Sequence, residues 1–159
     1  MPASLFDTGL LDRLSAAARA NPRLRQNHNL HAGPNDPVQR FFNAIEPGSY
    51  VIPHRHLAAG KDETLLMLRG RLGLILFDDA GHVSATHLLA PASNCMGFHL
   101  GLNVWHSVVA LESGCVFFEI KTGPYRALSA EEQAPWAPAE GSPAAQAYER
   151  QLHTLFQSG

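Results

Sequence analysis

The chain has 159 residues, of which 45% are apolar and 16% charged, and a formal net charge of −2. That is length enough for one domain with a buried core, too apolar a composition for a disordered segment, and a charge balance without the basic cluster of a nucleic-acid binder. No apolar run approaches the roughly 20 residues of a membrane helix, the opening MPASLFDTGLLDRLSAAARA lacks the basic start and apolar block of a secretory signal, and Cys95 and Cys115 match no zinc or CxxC spacing, so a cytoplasmic location is expected.

Residues 4–20 predict a helix, because Leu10, Leu11, Leu14, Ala17 and Ala18 recur at helical spacing and Asn21-Pro22 ends the run. It is expected to pack on the outside of the domain. Strands follow. In RLRQNHNLH, alternation puts Arg23, Arg25, Asn27, Asn29 and His31 on one face, and VQRFFNAIE is the next β-forming run. SYVIPHRH extends again after Pro47-Gly48, LAAGKD is a loop, and ETLLMLRG, RLGLILFDD, HVSATHLLA, MGFHL, NVWHSVVAL and CVFFEIK complete the series. Nine short strands at regular spacing predict an all-β sandwich or barrel. After Gly123-Pro124-Tyr125 the chain turns rich in Ala, Pro and Glu, with Trp136 as its one anchor. Ser142-Pro143 then starts a helix whose apolar stripe is Tyr148, Leu152, Leu155 and Phe156. The expected organisation is an N-terminal helix (1–22), a β-barrel (23–125) and a C-terminal extension with a helix (126–159).

Nine histidines is a high count, and their positions carry the chemistry. His54 and His56 lie two apart, so in an extended chain both rings project to one side and Arg55 to the other. Glu63 lies across LAAGKD at the start of the next strand and reaches the same point if the strands pair. His106 sits inside an apolar strand, where a polar ring needs a partner. Three imidazoles and a carboxylate form a nitrogen–oxygen donor set that suits iron(II), manganese, nickel, copper or zinc more than calcium or magnesium. Glu63 is read as the fourth ligand, as an acceptor behind a ligand histidine, or as a solvated loop end. His99 is read as a loop histidine, and His28, His82, His87 and His153 as surface or structural.

The run Gly48, five residues, His54-Arg55-His56, six residues, Glu63, six residues, Gly70 resembles the first motif of the cupin superfamily, with a longer gap before the glutamate. The second cupin motif is partial: His106 stands, while Gly101 and Asn103 occupy the places of a Pro and a Gly, and Ala110 that of an Asn. RQNHNLH, DPVQRFF, YVIPHRH, KDE, LFDDAGHV, WHSVVAL, FFEIKTGPY and APWAPAEG, in that order, resemble the WbuC-type cupin fold metalloproteins, a bacterial family associated with O-antigen polysaccharide gene clusters. The resemblance implies a double-stranded β-helix, or jelly roll, with flanking helices, holding one divalent transition metal through His54, His56, Glu63 and His106, and by analogy a homodimer.

Around that centre the alternation offers candidates with two readings each. Glu119 and Lys121 share a face with Phe117. They lie either on the outer, solvated side or inside the barrel, where Glu119 serves as acid or base and Lys121 meets substrate. Tyr50 is a core aromatic or a phenol reaching the pocket. Lys61 is a solvated loop lysine or a cation at the rim. Arg25, Asn27, His31 and Arg40 bond within an N-terminal layer or a dimer interface, or else line a substrate pocket; Gln39 and Arg40, being adjacent, cannot both point inward. The expected activity is that of a metal-dependent isomerase or epimerase on a small polar molecule such as a sugar or sugar nucleotide. An iron-dependent dioxygenase, a non-catalytic binding or regulatory protein, and a metal-independent epimerase are the alternatives.

Overall fold

The computed structural model describes residues 3–157. In chain order the elements are α1 (Thr8–Ala20), β1 (Arg25–Asn29), β2 (Val38–Ile45), β3 (Glu63–Arg69), β4 (Leu72–Phe77), β5 (Val83–Leu89), β6 (Gly97–Leu100), β7 (Trp105–Ala110), β8 (Cys115–Thr122), a short 3₁₀ turn (Ala130–Glu132) and α2 (Pro143–Thr154). Two antiparallel sheets face each other, one ordered β1-β2-β8-β3-β6 and the other β5-β4-β7. This is the all-β architecture that the strand spacing predicts, in the jelly-roll form that the cupin resemblance implies. Its core lies between the sheets and is built on Ile45, Leu65, Met67, Leu72, Leu74, Leu89, Val108 and Phe117.

α1 begins at Thr8, four residues later than the apolar spacing suggests, because the Asp7 carboxylate accepts from the Leu10 N–H and caps the first turn. It packs through Leu14 and Ala18 on Phe42, Ala44 and Val116, the outer face of the five-stranded sheet. α2 starts after Ser142 with Pro143 in its first turn, and Leu152 and Phe156 close the outer side of the other sheet with Phe77, Trp105 and Val109.

Eight strands form among the described residues where the spacing suggests nine. SYVIPHRH is extended but not a strand. Pro53 has no N–H for a ladder, and only His54 makes bridges, to His106 and to Gln133. That segment is therefore held between β7 and the C-terminal extension: Arg55 N–H donates to the Glu132 carbonyl at 2.9 Å, and Ala134 N–H to Pro53 at 2.9 Å. Gly70 closes the following unit with φ +82°, and a Cβ there would meet the Cys115 backbone at 2.8 Å, so only glycine fits. Cys95 and Cys115 are unpaired thiols.

Candidate metal centre

Backbone pairing brings the first two imidazoles together. His54 N–H donates to the His106 carbonyl at 3.0 Å and His106 N–H returns the bond at 2.9 Å. Residues that exchange both bonds lie directly opposite, with side chains on the same face, and the two ring centroids are 4.3 Å apart. His56 follows on the same side, 5.2 Å from His54. Arg55 turns outward, its guanidinium 4.2 Å over the Trp105 ring and bonded to the Asn103 side chain at 2.9 Å. Trp105 packs beneath the site against Trp136 and donates to Asp79. Asn103 takes the left-handed conformation (φ +61°) that the cupin pattern gives to a glycine, and its N–H donates to the His56 carbonyl at 2.8 Å.

Glu63 opens β3 opposite Leu100 on one side and Lys121 on the other. Its side chain is 8% exposed, with one carboxylate oxygen 2.8 Å from His106 Nε2 and the other 3.2 Å from His56 Nε2. One donor atom from each of His54, His56, Glu63 and His106 lies within 4.8 Å of all the others.

The hydrogen bonding of the rings tests whether this cluster suits a cation. Nδ1 of His54 lies 2.9 Å from the Ile52 carbonyl, and Nδ1 of His106 2.9 Å from the Val104 carbonyl. A carbonyl only accepts, so each Nδ1 carries a proton and each ring turns its Nε2 toward the cluster. Burial, with His106 as neighbour, pushes His54 down to about 3, which keeps it neutral. The buried Nε2 atoms of His56 and His106 find no hydrogen-bond partner, although Glu63 oxygens stand at hydrogen-bonding distance. With Nε2 deprotonated, as ligation requires, nitrogen and carboxylate lone pairs converge on one point, where a positive centre would be stabilised. A divalent ion at about 2 Å from each donor leaves adjacent donors roughly 3 Å apart, so the four residues fit one. Burial alone would raise the Glu63 carboxyl; contact with His106 and His56 and the Lys121 charge hold it well below its usual range.

Beside the cluster lies a cavity of about 200 Å³ walled by His54, Glu63, His106, Glu119, Lys121 and apolar side chains. Phe117, Glu119 and Lys121 face inward on β8, which settles their alternation in favour of the barrel interior. Lys121 Nζ is 3.1 Å from Glu119 and 4.0 Å from Glu63, and Asn43 donates to Glu119 at 3.2 Å. Burial pushes the Glu119 carboxyl up to about 7, opposed by Lys121 and reinforced by Glu63. Burial opposes the Lys121 charge, yet the two carboxylates raise its pKa.

A larger, open cleft of about 720 Å³ adjoins this cavity and is lined by Arg25, Asn27, His31 and Lys121, with Gln39 and Asn43. His31 Nδ1 accepts from the Arg40 backbone N–H at 3.1 Å. Three candidates lie elsewhere. The Arg40 side chain is exposed, because β2 alternates and buried Gln39 takes the inward position. Tyr50 is buried away from the donors: its hydroxyl donates to the Pro138 carbonyl at 2.8 Å and its ring meets Tyr148 edge-on, since the chain departs from strand geometry before Pro53. Lys61 Nζ donates to the Thr122 and Pro124 carbonyls, both at 2.6 Å, and ties down its loop. His99 is placed on β6, with its Nδ1 2.9 Å from the Thr64 hydroxyl. Asn43, Phe41 and Glu140 were not among the candidates. The alternation of VQRFFNAI that turns Gln39 inward also turns in Phe41 and Asn43, whereas nothing local marks Glu140.

Comparison with known proteins adds a family and a fold. The family model described as Domain of unknown function (DUF6016) matches residues 6–89, more than half of the chain. No curated protein matches. Among solved structures, a cupin 2 domain-containing protein from Halorhodospira halophila is 17% identical with a TM-score of 0.53, over 82% of this chain and 81% of that one. KdgF from Halomonas sp. is 19% identical with a TM-score of 0.51, over 67% and 84%. A Bacillus subtilis oxalate decarboxylase described for its Mn(II) centres is 17% identical with a TM-score of 0.50, over 69% of this chain but only 27% of that enzyme. At these identities the likeness shows the cupin fold.

Proposed function

The chain belongs to the DUF6016 family, and we propose that it is a metal-dependent enzyme acting on a small polar substrate, of the isomerase or epimerase type, at a carbon next to a carbonyl. A sugar or sugar nucleotide of surface-polysaccharide synthesis is the substrate we favour. The resemblance to the WbuC-type cupins supports that choice. The Mn(II) centres of oxalate decarboxylase, a protein of the same fold, support a divalent transition metal.

One observation carries the enzymatic reading. Glu119 is a buried carboxylate outside the donor set, yet it lines the same cavity as His54, Glu63 and His106. A carboxylate costs free energy to bury, and Glu119 supports no turn or cap; its bonds go to Lys121 and Asn43. A bound cation would supply Lewis acidity toward a carbonyl oxygen. In this reading Glu119 takes a proton from the adjacent carbon and returns it, with its carboxylate held by Asn43 and its ionised form steadied by Lys121. Val51, Leu65, Phe98, Val108 and Phe117 also line the cavity and limit its water.

The test begins with metal analysis of protein purified without added metal, where one iron, manganese, nickel, copper or zinc per chain is expected. Sugar nucleotides are then incubated with it in D₂O. Deuterium incorporated next to the carbonyl, and abolished by Glu119→Gln, is the expected result. Oxygen uptake instead would transfer the reading to a dioxygenase. Full metal with neither reaction would leave a binding or regulatory protein.

A further inference from the structure

We infer that the outer cleft is a second binding compartment, built for a hydroxylated anion: a sugar carboxylate or a sugar phosphate. Its walls are β1, the inner side of β2, and Lys121 and Tyr125 beyond them. Six carboxamides line it: Asn21, Gln26, Asn27, Asn29, Gln39 and Asn43. A carboxamide presents a donor and an acceptor side by side, as a sugar hydroxyl does, and the Phe41 ring offers an apolar face among them. The charges in the lining are all positive: Arg23, Arg25 and Lys121 are there, and no aspartate or glutamate is. In a chain with a net charge of −2, that concentration favours an anion.

What stands in for the anion is visible. Glu140, from the turn before α2, reaches the two arginines: Arg23 Nε donates to Oε1 at 2.7 Å, Arg23 Nη2 to Oε2 at 3.0 Å, and Arg25 Nη2 to Oε1 at 2.8 Å. This is the fork that a ligand carboxylate or phosphate would make. Glu140 is one-third exposed and Arg23 well exposed, so the contact is solvated and exchangeable. Arg25 would keep its place without it, because Nη1 donates to the Ser49 hydroxyl at 3.2 Å and the Tyr50 carbonyl at 3.0 Å. Arg25, Phe41, Asn43 and Lys121 line both the cleft and the metal cavity. A ligand can therefore rest its anionic end against Arg25 and Arg23 while its other end meets the donors. Glu140 then acts as a competitor that the right ligand displaces. The orientation of the ligand rests on the reading of the inner cavity; the anion compartment does not.

The experiment is a ¹H–¹⁵N titration of the full, metal-loaded chain with glucose, glucose 6-phosphate, glucuronate and inorganic phosphate. One or both charged sugars are expected to shift the amides of Asn27, Asn29 and Phe41 and to bind roughly tenfold tighter than glucose; which of them does so identifies the anion. Glu140→Gln should tighten the charged sugar by roughly two- to fivefold and leave glucose unchanged. Asn27→Asp, on the exposed edge strand, should weaken it. Equal binding of glucose and the charged sugars, no shift at these amides, or an unmoved affinity in both variants would overturn the inference. Inorganic phosphate binding as tightly as the charged sugars would overturn its hydroxyl half. Repeating the titration after chelation separates the two readings. Cleft binding in a protein that holds no metal sinks the metal reading alone, and full metal without cleft binding sinks this one alone.

Discussion

The two ends of the barrel use the same strands for opposite purposes. On the inner side of β8, Cys115 and Phe117 belong to the core, and Glu119 and Lys121 to the cavity. On β3, Met67 and Leu65 give way to Glu63; on β7, Ala110 and Val108 give way to His106. In each strand the change comes within one step of alternation, ~7 Å. The apolar end gains free energy from burial, roughly 1.5–3 kcal/mol for each fully buried leucine. The polar end spends some of it by holding carboxylates and imidazoles away from water. Fold and chemistry are thus separable by register: a substitution one pair of residues along a strand should change which property is lost.

The largest effect should come at the polar end and spare the fold. His106→Ala or Glu63→Ala is expected to drop bound metal from about one per chain to a small fraction, while circular dichroism and cooperative melting persist. Metal analysis after purification and dialysis checks this, and full occupancy in both variants would break the distinction between the ends. Next in size is the converse at the apolar end. Leu72 is fully buried, and Leu72→Ala should cost about 3 kcal/mol in denaturant unfolding while metal stoichiometry in the folded protein stays near one.

How much of this was legible in the sequence depends on how local each constraint is. His54 and His56 could be paired, and Arg55 turned outward, because two-residue alternation holds in any extended segment, even one that forms only bridges. His106 was legible as a polar ring in an apolar strand. Which side of β8 faces inward was not, since the wholly apolar pair Phe118-Ile120 competes with the mixed face Phe117-Glu119-Lys121; only pairing with Glu63 and Phe41 decides it. Of the two readings of Tyr50 the core aromatic holds, because the alternation that would aim its phenol at the pocket breaks step at Pro53. The tie that Lys61 makes was not legible, because its two carbonyl acceptors come from about sixty residues later. Glu140 sits in an Ala- and Pro-rich stretch and gains meaning only where it meets β1.

A smaller effect sharpens the boundary itself. Lys121→Met leaves Glu119 and Glu63 without the cation that stands 3.1 and 4.0 Å away. Unfolding should show a loss of up to ~3 kcal/mol, less where Glu119 neutralises by taking a proton. Adding Glu119→Leu should recover most of it, because the uncompensated carboxylate is then gone. A double variant as unstable as the single would mean that Lys121 contributes through packing and not through charge.

The smallest effect tests the joint that aims the ligands. Asn103 holds φ +61°, a conformation that asparagine tolerates and glycine adopts freely. Its N–H holds the His56 carbonyl, and its side chain holds Arg55. Asn103→Gly keeps the backbone bond, relieves the φ cost and forfeits the Arg55 contact, which lies at the exposed surface. These terms oppose, so stability should move by less than ~1 kcal/mol and metal content should not change. Asn103→Val imposes a β-branched side chain on the same φ and should cost about 1–3 kcal/mol. If the backbone at 103 moves to relieve that strain, the His56 carbonyl loses its donor and metal affinity should fall with it. Thermal melts with and without chelator measure both quantities. Equal behaviour of the two variants would place the aim of His56 in its own segment; a metal loss confined to valine would place it in the backbone at 103.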